Sequence, residues 1–599
     1  MSSVETFDTD VLVIGTGPMG GTTALALATY GVRVDAISKW NWLAHTPRAH
    51  ITNQRAVEVL RDLGIEEEAK KYAVPWEQMG DTLFTTSLAG PEIARLQTWG
   101  TGDRRSGDYL KGSPCTMLDI PQPLIEPIII NNAAARGARI SFNTEYLSAV
   151  QDDDGVTVTL KDLNTGIVYE RRARFLVGGD GARSQVAQDI DLPVVGTMAR
   201  AGTVYAHFKA DLSRYVAHRP SILHWIVNPS AGFGEIGMGL LRAVRPWNEW
   251  IAGWGFDMAG GDPDLSRDKA LEKIRLFVGE PDFTCEILNV SPWYVNQAYA
   301  TNYSVGRIFC GGDAVHRHPP SSGLGLNTCV QDAFNLAWKL AYVVKGFADK
   351  SLLDTYTPER APVGKQIVER ANQSRIDYAP LRACFSSTGV TQSIEETLAK
   401  VKAPTPEGAE VRAALREALA LKDHEFNAQG LEGNQRYVSD AVLPDEGGEE
   451  VWHVDKELFL QSTTRPGAKV PHTWLVGEAG RRVSTLDVVG HGAFTLVTGL
   501  SGQAWRTAVD NLNLPFLRLV VVGEKGTEDP YCHWIDVSQT EEAGAVLVRP
   551  DGYVGWRMRT AVWDGAEATR LLGDALSRIL GREPAASGTP SVPLASTAA

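Results

Sequence analysis

Three apolar runs in this chain break off at closely spaced glycines, the arrangement a backbone needs to approach a phosphate. The first is Val11-Leu12-Val13-Ile14, followed by Gly15-Thr16-Gly17-Pro18-Met19-Gly20. Such glycines permit a tight turn and leave room for a pyrophosphate. Pro18 suits the first turn of a helix, where its missing N–H costs nothing. That helix would direct its free N–H groups and dipole at a diphosphate. The second run is Phe175-Leu176-Val177 with Gly178-Gly179-Asp180-Gly181, then Arg183 and Ser184. The third is Arg307-Ile308-Phe309-Cys310 with Gly311-Gly312-Asp313. It continues through His316-Arg317-His318-Pro319-Pro320 to Gly323-Leu324-Gly325-Leu326-Asn327. A carboxylate such as Asp313 at a strand end can accept hydrogen bonds from a polyhydroxyl chain. A helix starting near Gly325 would offer its positive end to negative charge, such as that around N1 and C2=O of a reduced flavin.

One piece of the dinucleotide pattern is missing. An acid about 20 residues beyond the glycines normally holds the adenine ribose. Ser38 stands there, followed by Lys39. Ser38 offers a weaker ribose contact, and Lys39 equally suits the phosphate of NADP, so the first turn alone leaves FAD and NADP open. His316 and His318 have the spacing of a metal pair but no carboxylate partners, and prolines follow, so no metal is expected. His316 and Arg317 are read instead as braces of the third loop. The six cysteines are scattered without a CxxC pair, which suits reduced, buried thiols.

These turns need strands and helices to hold them. The first helix is expected through Ala24–Ala28, stopping at Gly31, and the second strand over Val32–Ile37. Apolar spacing from Leu326 to Val344 reads as a helix that ends at Gly346. Between the turns, residues 80–110 and 190–290 hold alternating segments such as Gly202-Thr203-Val204-Tyr205-Ala206-His207-Phe208, the pattern of half-buried strands. Helices follow over 327–380, and the Glu-, Ala- and Lys-rich stretch 395–422 reads as one solvated helix linking domains. From Pro466 a further unit carries the strand runs Phe494–Gly499, Leu517–Val522 and Ala545–Val548. The Pro-, Ala-, Ser- and Thr-rich tail after Glu583 is expected to be disordered. No internal repeat stands out.

The formal net charge of -14 argues against a nucleic-acid surface, which would have to attract phosphate. No apolar run approaches the roughly 20 residues that span a bilayer. The N-terminus lacks a basic segment followed by an apolar one, so a cytoplasmic protein without membrane contact is expected.

Taken together and in this order, the three glycine stretches resemble the GxGxxG, DG and GD fingerprints of the class A flavoprotein aromatic hydroxylases. This is the family of p-hydroxybenzoate and phenol hydroxylases. Thr46-Pro47-Arg48-Ala49-His50-Ile51-Thr52-Asn53-Gln54-Arg55, Tyr215–Pro220 and Val244–Asn248 look most like its phenol and chlorophenol monooxygenases. The resemblance runs to about Met558. It implies an α/β architecture: a Rossmann-like FAD-binding domain (1–80, 110–190, 290–380) interrupted by a β-sheet substrate domain (80–110, 190–290). A helical connector (381–455) and a thioredoxin-like domain (456–560) would follow, with a disordered tail over 583–599. No cysteine pair stands near Gly499–Gly502, so that last domain is read as structural or subunit-contacting, and a homo-oligomer is expected.

By the same resemblance, Gly15, Gly17, Gly20, Ser38, Arg48, Gln122, Asp180, Arg183, Asp313, Pro320, Gly323, Gly325, Leu326 and Asn327 would contact FAD. Asp180 and Arg183 belong to a motif the family ties to the nicotinamide as well. The implied reaction uses NADPH or NADH and O2 to hydroxylate a small phenol, chlorinated or not, ortho to its hydroxyl through a flavin C4a-hydroperoxide. His50 matches the position of a carboxylate that engages the substrate hydroxyl and is the catalytic candidate; holding a neighbouring carbonyl is its structural alternative. Trp225, with Trp247 and Trp250, is a candidate wall of the aromatic pocket, and Pro319 a further substrate contact. Arg242 and Arg245 could pair with a carboxylated substrate, but surface ion pairing is their default reading. The alternatives are a hydroxylase of resorcinol, hydroxybenzoate or a polyketide, an NADP-dependent dehydrogenase using Lys39, and a non-enzymatic flavin-binding scaffold.

Overall fold

The computed structural model describes residues 7–582 apart from 229, 232–235, 388–389, 392 and 446. The expected disordered tail therefore lies outside the described residues. The chain divides into two compact units. The first is built from the described parts of Met1–Ala337, Arg360–Asn434 and Trp452–Gln461; the second from those of Trp338–Glu359, Gln435–Val451 and Ser462–Ala599.

In the first unit an eight-stranded mixed sheet contains a parallel run ordered Ile308–Cys310, Val168–Gly178, Thr9–Ile14, Val34–Ile37, Arg139–Ser141. All six residues of Thr9–Ile14 are buried, as its unbroken apolar run requires of a strand covered on both faces. Ile14 pairs with Gly178, and Gly178 with Cys310. The three strands thus end level, and all three glycine turns leave the sheet along one edge. Helix Pro18–Thr29 follows the first turn, and Gly31 behind it takes a left-handed φ of +72°. The helix expected from Leu326 spans Gly325–Val344, with Gly346 at φ +70° just past its end.

A seven-stranded sheet has the order Glu286–Tyr294, Gly202–Lys209, Glu249–Phe256, Gly239–Arg245, Leu223–Ile226, Asp81–Thr85, Glu92–Gln97. Residues paired across strands share a face, and successive residues alternate. Val204, Ala206, Phe208, Leu241, Trp250 and Ala252 form one face and pack with Ala270, Ile274 and Phe277 of helix Arg267–Val278. The opposite face carries two rows read from the register: Trp225, Leu240, Gly253 and Tyr205, then Arg242, Ile251 and His207. Trp250 and Trp247 therefore do not wall a pocket on that face; Trp250 is fully buried in the other layer and donates to the Trp247 carbonyl (2.9 Å). Trp225 stands on the second face, but its ring packs edge-on against Tyr378 (centroids 5.0 Å apart).

The stretch expected as one solvated linking helix is two helices, Ile394–Lys402 and Pro406–Leu421, the second begun by the Thr405 cap and Pro406. Leu415 and Ala418 are buried with Tyr378 and Leu381, so an apolar stripe hidden among Glu and Lys docks this segment inside the first unit. Glu432 is also buried there, and its Oε2 has no hydrogen-bond partner among the described residues.

The second unit holds a four-stranded sheet ordered Leu517–Val522, Phe494–Gly499, Ala545–Val548, Val554–Met558, the first pair parallel and the others antiparallel. Helix Gln503–Leu512 makes the parallel crossover, and helix Gly565–Ile579 packs against it. Arg549 meets Glu359 through two bonds (2.6 and 2.8 Å) and Asp551 through two more (3.1 and 2.5 Å). Lys339 donates to Glu359 as well (2.8 Å). All four side chains are at most 1% exposed, so each charge depends on its neighbours rather than on water.

Glu359→Ala, which strands the buried Lys339 and leaves Arg549 only Asp551 to answer its charge, is expected to cost about 3–5 kcal/mol in denaturant unfolding. Burial, then the charge of Glu58, pushes the Glu432 carboxyl up to about 8. The folded chain thus keeps this proton where the unfolded chain has lost it, and stability falls as pH rises from the ordinary glutamate range to about 8. In Glu432→Gln that part of the pH dependence of Tm is expected to vanish.

Candidate active site

The level strand ends bring the three turns into main-chain contact. Gly15 has φ +99°, and an ideal Cβ on it would lie 2.3 Å from the Gly179 carbonyl oxygen. A Cβ on Gly20 would lie 1.9 Å from the Gly15 carbonyl oxygen. Gly312 joins them: its Cβ would stand 3.1 Å from that of Met19. Gly17 caps the first helix without a side chain, and only Glu126 Oε1, 3.7 Å from an ideal Cβ, stands before it. Open space therefore faces this helix start. Glu126 accepts from Gln122 Nε2 (2.6 Å) and from the Ala44 N–H (2.8 Å), so Gln122 is turned toward the turn's own acid.

Other expected contacts are differently placed. Asp180 accepts from the Ser184 hydroxyl (2.5 Å) and the Gln185 N–H (2.8 Å), and so caps the short helix Gln185–Asp189. Arg183 is exposed and has no partner among the described residues. The buried Ser38 hydroxyl accepts from the Trp40 N–H (3.3 Å), while Lys39 lies 5.4 Å over the Trp40 ring.

The third turn hangs on Asp332. This buried carboxylate accepts from the Gly312 N–H (3.0 Å), His316 Nε2 (2.9 Å) and Arg360 Nε (2.7 Å). Burial opposes its charge, but Arg360, His316 and the Gly312 N–H hold its pKa below the usual range. Arg317 donates to the carbonyls of Asp313 (2.9 Å) and Ala314 (3.0 Å), so both residues read as braces do brace the loop. Asp313 itself is exposed, yet burial is what chiefly raises its pKa. Asn327 accepts from the Asn53 N–H (2.8 Å) and donates to the Ile51 (2.9 Å) and Gly323 (2.5 Å) carbonyls. Leu326 and Pro319 are buried, Pro320 is exposed, and His318 Nδ1 meets the Pro319 carbonyl (2.7 Å). A Cβ on Gly325 would lie 3.7 Å from the His318 ring. No cluster of potential metal ligands occurs among the described residues.

Asn327 thereby anchors a two-stranded ribbon, Ile51–Thr52 paired with Leu118–Asp119, and the ribbon continues as Ile120 N–H to His50 O (2.8 Å) and Gln122 N–H to Arg48 O (3.1 Å). Ala49 between them is left-handed (φ +46°), a conformation costing about 1 kcal/mol that the neighbouring bonds must hold. His50 is buried with Nε2 3.0 Å from the Pro47 carbonyl, an acceptor, so Nε2 carries the proton. Nδ1, itself a sealed atom, lies 3.6 Å from Asp119 Oδ1 and has no hydrogen-bond partner among the described residues; neither has Asp119 Oδ2. Arg242 Nη2 donates to Asp119 Oδ1 (2.6 Å). Burial, then the Arg242 charge, drives the His50 pKa well below its ordinary value, so the ring is neutral at pH 7.

Arg242, only partly exposed, is thus the partner of the buried Asp119 and not the surface ion-pair former expected, because its strand places it on the inner face; Arg245 donates to the Tyr72 carbonyl (2.9 Å). Asp119, Tyr205, Glu126 and Asp332 were given no role by the sequence reading. The available signal was a lone charge within an apolar run, as Glu126 in Ile125–Ile130 or Asp119 between Leu118 and Ile120.

Residues 8–371 match the family described as FAD binding domain, and residues 463–583 the one described as aromatic-ring hydroxylase, C-terminal. The chain belongs to the FAD-dependent aromatic-ring hydroxylases. It is similar to the 2,4-dichlorophenol 6-monooxygenase of Cupriavidus pinatubonensis (strain JMP 134 / LMG 1197), 46% identical over 586 residues, 96% of this chain and 97% of that protein. The phenol 2-monooxygenase of Pseudomonas sp. (strain EST1001) is also 46% identical, over 93% of this chain and 91% of its own. Among solved structures, the flavin-dependent monooxygenase PieE in complex with FAD and substrate has a TM-score of 0.91 and 40% identity, covering 96% of this chain and 100% of PieE.

The choice that Ser38 and Lys39 left open therefore falls to FAD, and the dehydrogenase and scaffold alternatives fall away. The hydroxylase's residues fit the cofactor: a glycine cradle with no room for a Cβ, open space before Gly17 and an accessible carboxylate at Asp313. No described helix of the hydroxylase is long and apolar enough to cross a membrane. Gly15→Ala, which combines a clash with a strained φ, is expected to purify with less than about a tenth of the wild-type FAD per chain, read from flavin absorbance.

Proposed function

We propose that this cytoplasmic hydroxylase converts a small phenol, plain or chlorinated, to the catechol by adding a hydroxyl ortho to the one present. NAD(P)H, a proton and O2 would be consumed, and NAD(P)+ and water released with the catechol. The observation that carries this reading is the neutral His50 ring with its unsatisfied Nδ1 beneath the seven-stranded sheet, in a chain similar throughout to enzymes named for phenol and dichlorophenol.

The oxygen-activating redox chemistry is supplied by FAD when bound; the chain's residues place the ring and move its proton. Because the Pro47 carbonyl holds the Nε2 proton, Nδ1 is the nitrogen that can accept. A phenolic O–H donating to Nδ1 would make good a buried bond whose absence costs about 1–3 kcal/mol. A phenol's pKa is near 10, so sharing its proton with an acceptor raises the electron density of the ring where oxygen is to be added. Arg48, Gln122, Asp313 and Asn327 are assigned to FAD, with Arg183, exposed and unpartnered among the described residues, left for the nicotinamide. The second unit has one βαβ crossover followed by two antiparallel strands and a helix, which supports a thioredoxin-like reading; its sole cysteine, Cys532, suits a role in subunit contact rather than dithiol exchange.

A panel of phenol, chlorophenols, resorcinol and hydroxybenzoates, scored for product formed per NAD(P)H oxidised, is expected to favour the simple phenols; coupling confined to carboxylated or polycyclic rings would overturn the reading. His50→Ala is expected to lower coupled hydroxylation at least about tenfold with FAD content unchanged. Unaltered coupled turnover at neutral pH would leave His50 only the Pro47 carbonyl to hold.

A further inference from the structure

The loop that follows the third glycine turn is held from outside as well as from within. Ser322, in the short turn Ser321–Gly323, has φ +66° and ψ −2°, and Gly323 after it has φ +61°. Glycine takes that left-handed region freely, but a serine stays there only where its neighbours hold it. From within, the Gly323 N–H donates to the Pro320 carbonyl (3.1 Å) and Asn327 Nδ2 to the Gly323 carbonyl (2.5 Å). The turn also meets the ribbon: a Cβ on Gly323 would stand 3.2 Å from that of Ile51. Beyond these contacts, Ser322 Oγ lies 3.0 Å from Ser374 Oγ of helix Tyr356–Ile376.

Ser374 is fully buried and is itself clamped by two cations. Arg370 Nε donates to its hydroxyl (3.2 Å) and the buried Lys422 Nζ to its carbonyl (2.6 Å). That carbonyl is among the last four of its helix, which have no partner within the helix. A lysine there meets both a free acceptor and the negative end of the dipole. The cations are answered in turn, Arg370 by Asp377 (2.5 Å) and Glu457 (3.3 Å), Lys422 by Glu425. An arginine can only donate, so the Ser374 oxygen accepts from Arg370, and Ser322 is the one acceptor among the described residues for its own proton. The bond therefore runs from Arg370 to Ser374 to Ser322, strengthened by the cation at its head. Two residues past the turn, at Gly325, begins the helix whose first N–H groups would favour negative charge on a reduced flavin.

We propose that Ser374 is a positioning residue for FAD, acting through Ser322: the bond between them sets where the turn stands, and with it how well the start of helix Gly325–Val344 serves the reduced ring. The inference rests on the assignment of Asp313 and Asn327 to FAD and adds a residue that lies outside the glycine turns. Without the bond, Ser322 keeps a left-handed conformation that no side chain of helix Tyr356–Ile376 enforces, and the turn is free to relax. Reduced FAD, which carries the negative charge, loses more from a displaced helix start than oxidised FAD does, so the midpoint potential falls.

The test uses the purified FAD-loaded enzyme and follows the flavin spectrum during reductive titration against a dye of known potential. In Ser374→Ala the ratio of affinities for reduced over oxidised FAD is expected to fall about tenfold, a drop of about 30 mV for a two-electron couple. Ser322→Ala, which removes the same bond from its half-buried end, is expected to match that drop, and the double variant to fall no further than either single one. An unmoved potential in both single variants, or shifts that add in the double variant, would overturn the proposal alone. Asp313→Ala with the FAD content and potential of the wild type would overturn the assignment of the loop to FAD, and this inference with it.

Discussion

Gly15 and Gly179 touch through their backbones, and most of the site follows from that contact. Three strands end level in the parallel sheet, so their turns compete for the same few ångströms above its edge. A Cβ at Gly15 or Gly20 would fall within 2.3 Å of a carbonyl oxygen, and the turns could then no longer close on one another. With them closed, the first helix starts against open space, Gly312 meets Met19, and Asp313 faces the same cleft. Asn327 carries the arrangement outward by bonding to Asn53 and Ile51, which fixes the ribbon bearing Arg48 and His50.

Buried carboxylates do the remaining positioning. Asp332 collects three donors under the third turn, and Asp119 holds Arg242 between ribbon and sheet. Such groups cost desolvation and repay it only in a well-satisfied geometry, so each makes its surroundings specific rather than merely stable. Their effect on the chemistry is electrostatic. The Arg242 charge, added to burial, keeps His50 neutral, and a neutral ring whose Nε2 is committed to Pro47 has a single acceptor to offer. Tyr205 and Arg48 are left without a hydrogen-bond partner among the described residues.

Much of the frame was legible in contiguous residues. The run Val11–Ile14 needs two covered faces, Pro18 needs a helix start, and Gly31 and Gly346 need left-handed φ. Those demands involve neighbours along the chain, so they can be read without knowing the fold. Asp180 was legible as part of a glycine turn, but its carboxylate turns to Ser184 and Gln185, a local alternative the motif does not exclude. The tryptophans were legible only as large apolar groups. Whether Trp250 faced a pocket or a core depended on the register of Gly202–Lys209 against Glu249–Phe256.

By itself, then, the sequence determined the three turns, the elements that carry them and the membership in a flavin-dependent hydroxylase family, because backbone sterics and periodic burial act over a few adjacent residues. The tertiary structure decided which carboxylates are buried and with whom: Asp119 with Arg242, and Asp332 with His316 and Arg360. These pairs join segments far apart in the chain, and a residue's face on a strand inverts with a one-residue slip of register. Partner choice is therefore a property of the assembled sheets.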